Sequence, residues 1–315
     1  MDLVNTKKGQ DQHFVPVFVQ KEWLRKDRPN PKSVDVIFKN SRTSRFTINS
    51  VRMDNNFCGE GLWSLSPNAP DRTFAEDNPF RLIDQRASDI WKKIKTNEPL
   101  SCNELEDLAL FLNSILYRQP EMVRTMRSTA EKGLNDMDGD LHFLQENQQV
   151  YPDLKRNRDL AFTDGLHFSD YAVQKWLHGI NDPTVLEDIL AGEFHILRTP
   201  LNQPVPLSDR PYVTLSIGDE RFRMHPVDPN TILLFWKRSQ SSEKGLLDLE
   251  KLYKLYLSHS VSAANRGVVV SNSRSCWLIL EWFRPKELHL KDFGPGTENK
   301  SGKQYPFGES YALTQ

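Results

Sequence analysis

Runs of β-branched and aromatic residues gather at the two ends of this chain, and helical periodicity is concentrated in its middle. That segregation constrains the fold more than any single motif. Strands alternating with helices build parallel sheets, whereas grouped strands build antiparallel ones. An α+β fold is therefore expected. It has N-terminal strands with a hairpin, a central helical block over about residues 80–191, and a mostly antiparallel β region over about 193–283 with one inserted helix.

The hairpin is read from VDVIFKNSRTSRFTINSV, Val34 to Val51, where two β-rich runs flank the polar KNSRTS. GLWSLSPNAPD then breaks the pattern with loop chemistry. The best-marked helix starts at Ser101, whose hydroxyl and Glu104 form a capping box ahead of Leu105, Leu108, Leu112, Ile115 and Leu116. It should stop at Gln119, because Pro120 disfavours helical geometry in the preceding residue and suits the first turn of a new helix. A second start is NDPTVLEDIL, with Asp182 as N-cap and Pro183 in the first turn, and HFSDYAVQKWLHGI supplies another amphipathic helix. Beyond Glu193 the runs FHILRT, YVTLSI, RFRMHP, TILLFW, GVVVS and CWLILEWF read as strands, interrupted by the helix LLDLEKLYKLYLSHS. Residues 1–12 are expected to be a flexible N-terminus, 13–290 one domain, and 291–315 a loose tail.

Composition limits the function classes. Lys plus Arg number 41 against 42 Asp plus Glu, so a net charge of -1 gives no global field toward nucleic acid or an anionic membrane. Cys58, Cys102 and Cys276 are scattered and odd in number, which argues against a disulfide framework or a zinc site. No apolar stretch approaches the roughly 20 residues that span a bilayer, and the cytoplasm is the expected compartment, with no membrane partner. GPGTENKSGKQ fails as a phosphate loop in spacing and in its final residue, and DFG at Asp292 lacks a kinase context. DMDGDL, from Asp136, lacks the glycine and the glutamate of a calcium loop at the required positions. His167 with Asp170, and His225 with Asp228, supply too few ligands for a metal and are taken as structural. KRNR at Lys155 to Arg158 could meet phosphates or end a solvated helix. No metal site and no particular cofactor is indicated.

The stretch QHFVPVFVQKEW, Gln12 to Trp23, is apolar on both faces when extended, so a buried edge or irregular extended segment is expected around Pro16. His13 is either a hydrogen-bonded residue at a strand entrance or an imidazole projecting into a pocket.

His-x-Val-Pro-x-Phe, GLW at Gly61, Tyr117-Arg118-Gln119-Pro120, Asn202-Gln203-Pro204, MHPVDPN at Met224 and AANRGVVVS at Ala263 stand in this order. In that order they resemble the uncharacterised prokaryotic proteins of domain-of-unknown-function family 4238. The likeness runs from about residue 13 to 271. It implies a soluble prokaryotic protein without assigned chemistry, and some members look like single-gene anti-phage defence proteins. Where the family tends to carry an acidic residue before a proline, this chain has Leu201-Asn202-Gln203-Pro204, and an amide cannot be a general base.

Together these readings group His13, Arg118, Asn202, Asn265 and Arg266 around one cleft. His13 would carry a proton, Arg118 and Arg266 would bind phosphate or carboxylate, and the asparagines would orient it. Arg118 could instead cap its helix and the asparagines close turns. Three functions compete. The first is a cytoplasmic phage-defence effector acting on nucleic acid or a nucleotide, as a metal-independent hydrolase or nuclease-like enzyme if it is an enzyme at all. The second is a non-enzymatic sensor or binding module for a phage component or small ligand. The third is a structural or interaction protein. Substrate, cofactor and oligomeric state are left open.

Overall fold

The computed structural model describes residues 11–24, 32–39, 46–60, 62–64, 75–126, 128, 177, 179–199, 203–217, 219–238, 249–261, 264 and 267–271. Across them the fold is α+β, with three antiparallel sheets. The segments DMDGDL, KRNR, CWLILEWF, DFG and the glycine-rich tail lie outside the described residues, as does most of HFSDYAVQKWLHGI.

The opening stretch departs from the extended reading. Strand β1 is only Asp11–His13, paired antiparallel with β4, Cys58–Glu60. From Pro16 the chain turns helical, as α1 (Val17–Gln20) and a 3-10 turn (Lys21–Trp23). The physical reason is the proline. Its φ of -55° suits a helix entry, it has no N–H to give a ladder, and its carbonyl accepts from Val19 and Gln20 N–H at 3.1 and 3.2 Å. The apolar period becomes four instead of two, and Val15, Val19 and Trp23 all enter the core.

The hairpin of β2 (Ser33–Lys39) and β3 (Phe46–Arg52) forms in the expected place, with Val34 opposite Val51. Its sheet is completed from far along the chain, by β6 (Leu207–Ser208) and β10 (Val268–Val270), in the order β3-β2-β10-β6. The third sheet contains β5 (Glu193–Arg198), β7 (Val213–Ile217), β8 (Glu220–Asp228) and β9 (Thr231–Lys237), ordered β5-β9-β8-β7.

Helices α2 (Arg81–Thr96), α3 (Cys102–Arg118) and α4 (Pro183–Leu190) cover one face of this third sheet. The Ser101 box closes as expected, with Glu104 N–H donating to the Ser101 hydroxyl at 3.3 Å and Ser101 N–H to Glu104 at 2.9 Å. Asp182 caps α4 through Thr184 N–H at 2.9 Å. Trp91 of α2 donates to the Val227 carbonyl of β8 at 3.1 Å. His225 stands edge-on between Trp91 and Phe111, fully buried, and burial pushes its pKa down to about 3. Asp228 turns away from it to hold the β8–β9 turn, accepting from Asn230 N–H and Thr231 Oγ1. A three-residue spacing joins side chains on a helix and separates them on a strand. Asp188 of α4 ties the helix to the sheet by ion pairs to Arg221, Arg223 and Lys237. On the sheet's other face, α5 (Leu249–Tyr256) runs into a wider π-type turn, Leu257–Val261, and Tyr256 donates to the Pro206 carbonyl at 2.9 Å. Among the described residues no helix is long and apolar enough to cross a membrane.

Candidate functional site

Helices α2 and α3 are joined by a short connection and run antiparallel. Lys93 meets Glu104 at one end, and Arg118 meets Asp84 at the other. Helix α3 ends at Arg118 because Gln119, ahead of Pro120, adopts an extended backbone (ψ 135°). The Arg118 side chain is 1% exposed. Its fork is filled from within the chain: Nη1 donates to Asp84 Oδ2 at 2.9 Å, and Nη2 lies 2.8 Å from Oδ1. The guanidinium lies over the Phe80 ring at 4.0 Å. Nε has no hydrogen-bond partner among the described residues. A direct clamp on a ligand is therefore not what the fork does here; it holds Asp84.

Residues Glu76–Phe80 form a π-type turn that leads into α2 and contains Pro79, which has no N–H for a regular helical bond. Such turns concentrate at functional sites. Glu76 accepts from Trp63 Nε1 at 3.0 Å, and Trp63 packs edge-to-face on Phe80 at 5.3 Å. Trp63 is fixed in turn by Gln12. The Gln12 Oε1 accepts from Trp63 N–H at 2.9 Å, and its Nε2 donates to Ser64 Oγ at 3.1 Å. The segments around His13, Leu62-Trp63 and Arg118 are thus linked through Gln12, Trp63 and Phe80, although they lie up to about a hundred positions apart.

His13 is half-buried at the end of β1. Its Nε2 meets the Met53 carbonyl at 3.3 Å, and because a carbonyl only accepts, that nitrogen carries the hydrogen. Nδ1 is left as the basic nitrogen. The ring is near enough that, when it carries a proton, its charge lowers the carboxyls of Glu76 and Asp84, which also feel Arg118. Burial nevertheless dominates both and pushes them above the ordinary carboxylate range, Glu76 further so by the charge of Asp84. Asp54, ion-paired to Arg52, also senses the ring.

Of the five residues grouped from the sequence, His13 and Arg118 both act electrostatically on Glu76 and Asp84. Asn202, Asn265 and Arg266 lie outside the described residues. Glu76 and Asp84 were missed. A signal for Asp84 was present, since Asp84, Ala87 and Trp91 follow helical spacing and put a carboxylate on a buried stripe. Glu76 gave no such signal, because its turn departs from the helical period. Among the described residues no three His, Cys, Asp or Glu side chains are grouped to hold a metal ion.

The pattern of one protein family, described as "Protein of unknown function (DUF4238)", matches residues 11–246. No curated protein and no solved structure matches the chain.

Proposed function

The chain belongs to the DUF4238 family of proteins of unknown function, and from that premise we propose that it is an effector that hydrolyses its substrate with its own side chains, His13 carrying the proton. The observation supporting this is the convergence of His13, Glu76, Asp84 and Arg118 beside Trp63 and Phe80. Two acid–base groups with different environments stand together, an imidazole whose Nε2 meets the Met53 carbonyl and a carboxyl raised by burial. Nδ1 takes the proton of the attacking group, and Glu76 returns one to the leaving group. Asp84 and Arg118 are positioning residues that fix the floor beneath them.

Nucleic acid or a nucleotide is the proposed substrate, phage defence the proposed setting and the cytoplasm the proposed compartment. The family resemblance supports this reading, with Arg266 contacting phosphate and Asn202 and Asn265 orienting it. The test is phage challenge of cells that express the wild-type chain, His13→Ala or Glu76→Gln at equal levels, with RNA, DNA and nucleotide pools followed in parallel. Both variants should lose protection and leave the pools intact. Equal protection and equal toxicity in all three would remove the catalytic role.

A second reading, a non-enzymatic binding module, is supported by the closure of the buried Arg118 fork on Asp84, which occupies the donors that would otherwise clamp an anion for chemistry. Under it, His13→Ala would weaken capture of a ligand without changing any pool.

A further inference from the structure

We infer that Arg221, Arg223 and Lys237, gathered around Asp188 where helix α4 meets the third sheet, form a binding site for the terminal phosphate of a phosphate monoester. The site shares no residue with the His13 cluster and does not rest on the chemistry proposed there.

Arg221 and Arg223 stand two apart on β8, and Lys237 lies on β9 directly opposite Arg221, so strand alternation puts all three side chains on one face. Asp188 reaches that face from α4. It accepts from Arg221 Nη1 at 2.9 Å and from Lys237 Nζ at 2.6 Å. Arg223 donates to its carboxylate and, at 3.3 Å, to its main-chain carbonyl. Burial raises the Asp188 carboxyl, but the bonds from Lys237, Arg223 and Arg221 outweigh it and hold the group well below the usual carboxylate range. Asp188 is therefore charged, and one negative charge stands against three positive ones.

Tying α4 to the sheet does not require this surplus. Arg223, 8% exposed, makes the tie by itself through two groups of Asp188. Arg221 and Lys237 are 44% and 41% exposed, and like charges directly opposite on neighbouring strands destabilise the pairing. Among the described residues both bond to Asp188 alone, each through one nitrogen. Arg221 Nε and Nη2 and two of the Lys237 ammonium hydrogens thus have no protein partner there. Thr214 and Ser216 of β7, opposite Arg223 and Arg221, add hydroxyls to the same face. An excess of two positive charges suits a phosphate monoester, which carries about −1.5 to −2 at neutral pH, better than a singly charged diester. The Arg221 fork fits two phosphate oxygens, and Lys237 meets a third as a point charge.

The experiment is titration calorimetry of the full chain with AMP, adenosine and 3′,5′-cyclic AMP at pH 7. AMP should bind, adenosine should not, and cyclic AMP, a diester, should bind at least about tenfold more weakly. The double variant Arg221→Gln/Lys237→Gln should lose at least about tenfold in AMP affinity and stay folded, because the buried Arg223–Asp188 pair remains. A His13→Ala chain should bind AMP as the wild type does. An oligonucleotide with a 5′-phosphate, compared with its 5′-hydroxyl form, separates two sources of the same group: binding tighter than AMP assigns the phosphate to a strand end, and weaker binding assigns it to a free nucleotide. Absent AMP binding, equal measurable binding of the two oligonucleotides, or equal binding of AMP and cyclic AMP overturns the inference. So does unchanged AMP affinity in the folded double variant, or AMP binding that His13→Ala abolishes. Full phage protection by His13→Ala with AMP still bound removes the proton carrier and leaves this site standing.

Discussion

Breaking the Arg118–Asp84 pair from its two sides should give unequal losses, and the inequality follows from what each partner can do when stranded. In Asp84→Ala the guanidinium stays 1% exposed, with its carboxylate gone, and arginine does not shed its proton. Stranding a buried charge of this kind costs about 3–5 kcal/mol. In Arg118→Met the side-chain volume is kept and Asp84 is left behind. Its side chain is 28% exposed and its carboxyl is already pushed up by burial, so it can take a proton or water. A loss of about 1–3 kcal/mol is expected, the range for an unsatisfied polar group. The second loss should also depend on pH. A carboxyl whose folded pKa lies above its unfolded value leaves more protons bound to the folded chain, so stability falls as pH rises from about 3.8 through the raised value. Urea unfolding at pH 5 and pH 7 reads both effects. Arg118→Met should be nearer the wild type at pH 5 than at pH 7, whereas the Asp84→Ala loss should not shrink at pH 5, because the titrating carboxyl is gone. Equal losses for the two variants, or an Arg118→Met loss that does not change with pH, would refute the reasoning.

His225 is expected to be an acid-sensitive point in the core. Its pKa falls from 6.5 to about 3 on burial, so the unfolded chain binds a proton between those values and the folded chain does not. Stability should then decline as pH drops from about 6.5 toward 3. His225→Leu, which also removes two buried nitrogens lacking a well-formed hydrogen bond, should flatten that decline without harming stability at pH 7. Denaturant midpoints across this range check it. Ser101→Ala opens the α3 capping box and should lower stability by about 1 kcal/mol, measured by urea unfolding, with Ser101→Asp close to the wild type.

Local features were legible in the sequence because they depend on neighbours a few positions away. The capping box at Ser101, the stop before Pro120, the Asp182 cap and the 34–51 hairpin all stand where hydrogen bonds within one turn put them. The opening stretch was the exception. An extended reading and a helical one both bury its apolar side chains, and the choice went to the helix when Pro16 capped α1.

What only the tertiary structure decided is which distant pieces share a surface. GVVVS reads as a strand anywhere, but pairing β10 with β2 joins residues more than 200 positions apart into one sheet. His225 and Asp228 looked like a pair on paper and face different surroundings in the fold. Glu76 and Asp84 had no shared motif with His13, and they come within reach of its charge because a turn and two antiparallel helices deliver them to one place. The reason is physical. Capping and turn preferences are short-range and are written into adjacent residues, whereas burial and charge act through space and have no fixed offset in the chain.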